Sequence, residues 1–131
     1  MRETKFRAWN KKEKRMYIPN EIYIQFNPAG TIYVKDIDEN YLGCEREFDI
    51  MQYTGFVDER CNEIYEGDIV RVITDKKGVI GEVVYIPTAF CVKAKGFEIF
   101  SLGFLNNWFE IEVLGNIYEN PELLEEEEQN G

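Results

Sequence analysis

Asp36, Asp38, Asn40 and Glu47 fall at positions 1, 3, 5 and 12 of a calcium-binding loop, the spacing at which side-chain oxygens converge on a hard cation. The sixth position holds Tyr41, where that loop needs glycine for its sharp turn, and the residues before it read as strand, so no metal site is expected. Glu66-Gly67-Asp68 sets two carboxylates close together, but no base or electrophile lies near them in sequence. Their expected role is a turn that opens a strand, with Gly67 supplying backbone freedom and Asp68 capping. The chain contains no histidine. That removes Ser–His and Cys–His nucleophile pairs, histidine general bases and nearly all catalytic zinc sites. Carboxylates, lysines, tyrosines and an unassisted cysteine would remain to an enzyme. No catalytic residue and no cofactor is assigned, and a non-enzymatic protein is expected. Cys44, Cys61 and Cys91 are odd in number and form no CxxC pair, which suits reduced thiols in a cytoplasmic protein.

Charge bounds the partners. Asp and Glu number 25 against 15 Lys and Arg, a formal net charge of -10. A field of that sign repels phosphate backbones and weakens attraction to anionic membranes, so nucleic acid and membrane partners are disfavoured. The distribution is uneven: basic side chains crowd residues 1–20, whereas residues 110–131 hold eight Glu and neither Lys nor Arg. Ends of opposite sign can attract one another within or between chains. The basic set interleaves with Phe6, Trp9 and Tyr17, which offers an alternative: a face that stacks on and pairs with single-stranded nucleic acid. A second alternative is that the acidic terminus mimics nucleic acid. No stretch has the length or apolarity of a membrane span or signal peptide.

The elements that would position these groups are strands. Alternation predicts strands over 4–9, 21–26 and 31–37, the last two forming a hairpin across Asn27-Pro28-Ala29-Gly30. Residues 38–50 read as a loop leading into a strand at 51–54, with Gly55 a turn or bulge. Further strands are expected over 64–73, 79–86 (bulged at Gly81), 90–95, 97–100 and 109–114, with a helical turn at 101–107. Asn120-Pro121 reads as the N-cap and first position of a short helix anchored by Leu123 and Leu124. The fold class is therefore mainly β: a small barrel or sandwich of short antiparallel strands with a short C-terminal helix. The expected organisation is an N-terminal β lobe (1–55), an SH3-like, barrel-like lobe (56–120) and an acidic helix and frayed tail (121–131), or one continuous domain.

Three segments carry a resemblance. They are Lys5-Phe6-Arg7-Ala8-Trp9 with the basic turn and Met16; Met51-Gln52-Tyr53-Thr54-Gly55 through Asp58 to Ile64-Tyr65-Glu66-Gly67-Asp68-Ile69-Val70; and Val113-Leu114-Gly115-Asn116-Ile117-Tyr118-Glu119-Asn120-Pro121-Glu122-Leu123-Leu124. In order and spacing the chain resembles the YopX family of phage- and prophage-encoded proteins. The family pattern has an Asn-Gly type turn before Ile-Tyr-Glu-Gly-Asp; here Cys61-Asn62 replaces it, with Asn62 expected to take the left-handed position. The resemblance implies a mainly β fold and a mobile-element origin, and supplies no catalytic residue. Nineteen aromatic side chains (9 Phe, 8 Tyr, 2 Trp) are more than so small a domain hides, so some are expected at an interface. Arg7, Trp9, Tyr53 and Tyr65 are the candidates for contact with a partner, either a second copy of the chain or a host or phage protein.

Overall fold

The computed structural model describes residues 4–74, 78–94 and 99–125. The chain divides into two compact units, Met1–Gln52 and Tyr53–Gly131. All strand pairs among the described residues are antiparallel.

In the first unit, β1 (Phe6–Asn10) pairs with β2 (Arg15–Tyr17) and with residues 48–52 at the start of a long strand. Between them lie β3 (Ile22–Phe26), β4 (Ile32–Asp36) and β5 (Tyr41–Cys44), a three-stranded sheet in that order. β3 and β4 are the expected hairpin. β5 was expected as loop; it is only four residues long, and the β4–β5 register slips between Val34 and Lys35, which erases the alternation that would have announced it. Ala8, Tyr17, Ile22, Val34 and Phe48 form the buried core, with the Tyr17 and Phe48 rings edge-to-face at 5.8 Å.

One turn is built three times. In residues 27–31, 36–40 and 58–62, the first residue is Asn or Asp, and its side-chain oxygen accepts the N–H of the fifth residue at 2.9, 2.9 and 2.8 Å. The fourth residue is left-handed: Gly30, Glu39 and Cys61, with φ of 89°, 66° and 66°. The left-handed residue of the third turn is thus Cys61 and not Asn62. Asn62 instead donates its backbone N–H and its amide to the Asp58 carboxylate.

The second unit opens with the rest of β6 (Phe48–Val57), which pairs with β7 (Glu63–Tyr65). The register slips between Tyr53 and Val57, the interval that contains Gly55. Then come β8 (Asp68–Ile73), β9 (Gly78–Ile86), β10 (Ala89–Lys93), β11 (Phe100–Ser101), α1 (Leu102–Trp108) and β12 (Glu110–Asn116). The five-stranded sheet β11-β10-β9-β8-β12 curls as a half-barrel around Val70, Val72, Val83, Val92 and Ile111. Alternation places Arg71 and Ile73 on the other face of β8. Residues 122–125 form a short C-terminal helical turn. The Asn120 side chain turns backward to accept the Asn116 N–H at 3.2 Å, so it does not cap that turn as expected. The acidic tail over 126–131 lies outside the described residues.

Two glycines carry backbone roles. Gly67, at φ 84°, lets Asp68 fold back so that its buried carboxylate accepts the Tyr65 N–H at 2.7 Å, the capping role expected of it. Gly81 makes no bulge toward β8: the β8–β9 register runs through it unbroken. A Cβ there would stand 2.8 Å from the Lys93 carbonyl oxygen, so close approach of β10 is what requires glycine.

β12 is fixed on both sides. β8 pairs along one side. On the other, the turn at 58–62 docks: Glu59 donates its N–H to the Ile111 carbonyl at 3.3 Å, and the buried Asp58 carboxylate accepts the Val113 N–H at 3.0 Å. Burial pushes the Asp58 carboxyl up, but the N–H groups of Val113, Asn62 and Arg60 and the Asn62 amide outweigh it, and its pKa lies below the usual value.

Three outcomes follow from the turn at 58–62. Cys61→Gly should stabilise the protein by about 1 kcal/mol by relieving a left-handed side chain. Asn62→Gly should destabilise it by about 2 kcal/mol through lost bonds to a buried carboxylate. Urea midpoints moving in the reverse sense would contradict the assignment. Because the folded Asp58 value lies below the unfolded one, its contribution is complete above about pH 4 and is lost as pH falls through the folded value. Asp58→Ala should therefore cost about 3 kcal/mol at neutrality and distinctly less in acid. An equal cost at both pH values would show that the charge plays no part.

Candidate functional site

The expected contact residues lie largely inside. Trp9 is 7% exposed, Tyr53 8% and Tyr65 5%. Tyr53 and Tyr65 face each other across the β6–β7 pair with centroids 5.5 Å apart, and the Tyr65 hydroxyl donates to Glu63 at 3.1 Å. Arg7 is half-buried opposite Met51, its Nε directed at the Met51 sulfur 3.4 Å away. The Tyr53 and Tyr65 rings are thus brought together, and both are buried.

The carboxylates singled out by spacing also have local roles. Asp36 accepts the N–H groups of Asp38 and Asn40 and the Asn40 amide, all near 3 Å. The Asn40 backbone and side-chain bonds hold its carboxyl below the usual range. Glu47 accepts from the Cys44 N–H and lies 3.7 Å from the Cys44 sulfur. The segment is strand–turn–strand, without the flanking helices of a calcium loop. Among the described residues no group of three or more acidic or thiol side chains is placed to hold a metal ion. The basic turn after β1 is exposed, and part of it is paired. Lys11 lies 3.6 Å from Asp49, and Arg15 bonds Glu21 at 2.9 Å while covering the Tyr17 ring.

The exposed aromatic surface belongs to other residues. α1 begins at Ser101, whose hydroxyl accepts the Phe104 N–H at 3.2 Å, and ends as the chain turns into β12. A seven-residue helix does not persist alone. Burial of Leu102 and Leu105, each contributing about 2 kcal/mol, holds it against the half-barrel. Phe104 and Trp108 are one turn apart and stay outside, 46% and 72% exposed. Phe100, just before the helix, stacks on Phe104 with centroids 5.7 Å apart. Phe100, Phe104 and Trp108 thus make an aromatic row at four-residue spacing. That spacing is present in the sequence and was the signal available to find it.

Beneath this row the half-barrel is open. A cavity of about 260 Å³ is walled by Val72, Val79, Val92, Leu105, Phe104 and Phe109. Among the described lining residues, Thr74 contributes the one hydroxyl. Beside it, a shallower recess is formed by Trp108, Glu110, Asn107 and Thr74. Glu110 belongs to an acidic row: Glu59 is pushed up by burial and then by Glu110, Asp58 and Glu112. Arg71 approaches Glu112 at 3.9 Å. The arrangement can enclose an apolar group and pair with a cation.

In the first unit a second aromatic face appears. The cross-strand pairs Tyr23–Lys35, Gln25–Tyr33 and Lys35–Tyr41 put three tyrosines on one face of the β3-β4-β5 sheet. Tyr23 and Tyr41 are exposed, and the Tyr33 and Tyr41 rings meet at 5.9 Å.

Comparison with known proteins places this architecture. The family model described as YopX protein matches residues 5–125. Protein yopX from Bacillus subtilis superposes with a TM-score of 0.72 at 22% identity, over 95% of this chain and 99% of that one; this likeness is one of fold. Protein EF1440 from Enterococcus faecalis gives a TM-score of 0.66 at 28% identity over the same shares. No curated protein matches the chain. No helix among the described residues is long and apolar enough to cross a membrane.

Proposed function

The chain belongs to the YopX family, and from that premise we propose that it is a non-enzymatic interaction protein of a phage or prophage, acting in the host cytoplasm by capturing an apolar side chain of a protein partner. The observation that carries this reading is the row Phe100, Phe104 and Trp108 beside an open apolar cavity. Contiguous exposed aromatics are uncommon on monomeric proteins and mark contact surfaces. The cavity is smaller than the roughly 300–1,000 Å³ of small-molecule sites and suits one large side chain. An anchor held in a pocket and ringed by aromatics is how a few residues come to carry most of an interface's affinity. The near absence of polar groups in the wall supports binding rather than turnover.

A second reading, self-association, is favoured by the three-tyrosine face of the first unit. That unit carries nine basic and nine acidic side chains, so two copies meeting there incur no net repulsion.

Short labelled peptides bearing one Phe, Leu or Trp in a Gly/Ser background test the first reading by fluorescence polarisation. The protein should bind the Phe peptide, and Phe104→Ala should weaken it at least tenfold, about 1.4 kcal/mol. Equal binding by parent and variant would discard the pocket. For the second reading, light scattering at micromolar concentration should give a mass above the 15.5 kDa monomer, reduced to it by Tyr23→Ser with Tyr41→Ser. A clean monomer for the parent protein ends that reading.

A further inference from the structure

The net charge of the chain lies in one place. The unit Tyr53–Gly131 holds sixteen acidic and six basic side chains, which accounts for the whole excess of -10. The same unit carries the apolar cavity and the aromatic row. We infer that the partner seated there is a basic protein segment, presenting one large apolar side chain to the cavity and an adjacent arginine to the recess formed by Trp108 and Glu110.

This inference rests on the pocket reading and names the partner's chemistry. Trp108 offers an exposed indole, and Glu110 a carboxylate, to the same recess, with the Asn107 amide and Thr74 hydroxyl beside them. A guanidinium is the group that uses both at once. Its flat face stacks on the indole while its N–H fork meets the carboxylate. A neutral or acidic partner covering the recess would desolvate Glu110 with no cation to offset it. A phosphate backbone would meet the same field and be repelled. A second copy docking through the same face would bring another unit of the same sign against the first, so charge complementarity selects a foreign, basic partner.

Four peptides in one Gly/Ser background separate the outcomes: Phe with Arg beside it, Phe with Glu beside it, Phe alone, and Arg alone. The Phe–Arg peptide should bind about fivefold to tenfold more tightly than Phe alone, and Phe–Glu more weakly than either. Glu110→Gln, an isosteric change at an exposed position, should erase the arginine advantage, so that Phe–Arg binds no more tightly than Phe alone. The advantage should shrink as salt rises from about 0.05 to 0.5 M. Equal affinity for Phe–Arg and Phe–Glu overturns the inference while the pocket reading stands. No binding of any Phe peptide overturns the pocket reading and this one with it. Self-association that is abolished by Trp108→Ala would assign the face to a second copy and likewise overturn it.

Discussion

The half-barrel depends on one buried carboxylate. Asp58 accepts four N–H groups, three from its own turn and one from Val113, fifty-five residues away in sequence. Without it β12 would be an open edge strand with the outward backbone groups of Ile111 and Val113 unanswered. With it, the turn at 58–62 lies along that edge, and β12 is held between the turn and β8. The consequence reaches the site directly. Phe109 and Glu110 sit at the junction of α1 and β12, so the placement of β12 sets where Trp108, the cavity wall and the acidic recess stand.

That carboxylate is one case of a device used throughout. Asn10, Asn27, Asp36, Asp58 and Asn116 each open a turn by accepting backbone N–H groups with a side-chain oxygen. A left-handed residue other than glycine costs about 1–2 kcal/mol, and each accepted hydrogen bond returns about 1 kcal/mol. Two or three such bonds offset the strain. This explains why Lys14, Glu39 and Cys61 occupy left-handed positions where glycine would be the simpler choice. It also gives the acidic residues that resembled a calcium loop a structural occupation: Asp36 and Asn40 are the first and last residues of such a turn.

Period-two patterns and turn residues made most of the fold legible. The β3–β4 hairpin, β10 and β12 are announced by alternation and β-branched or aromatic composition, β9 by its apolar run between turn residues, and the Glu66-Gly67-Asp68 turn by its chemistry. What failed had non-local causes. β5 is set by pairing with β4 across a bulge, and Gly81 by how near β10 comes; neither fact is written in the residues alongside. The left-handed position at 61 was misassigned to Asn62 because intrinsic preference favours Asn. The bonds Asn62 makes to Asp58 decide otherwise. Which aromatics stay exposed is likewise decided by packing. Trp9, Tyr53 and Tyr65 are of the residue types that interfaces favour, but strand register turns them inward. Phe100, Phe104 and Trp108 are left outside because Leu102 and Leu105 take the buried face of α1. Their four-residue spacing was readable, but only once the segment was taken as helical.

The acidic surplus, which in composition alone suggests little beyond solubility, acquires a physical purpose beside that aromatic row. An exposed apolar patch invites association with any similar patch, including its own copy. Placing the entire net charge of the chain in the unit that bears the patch opposes that encounter without covering the rings, since charge acts over about 8 Å at physiological salt whereas apolar contact acts only on touching. Under the proposed reading the same charges then discriminate among partners, repelling acidic surfaces and drawing in basic ones before any side chain reaches the cavity. Apolar burial would supply the affinity and charge the choice, which is why the acidic row and the aromatic row need to stand on the same unit.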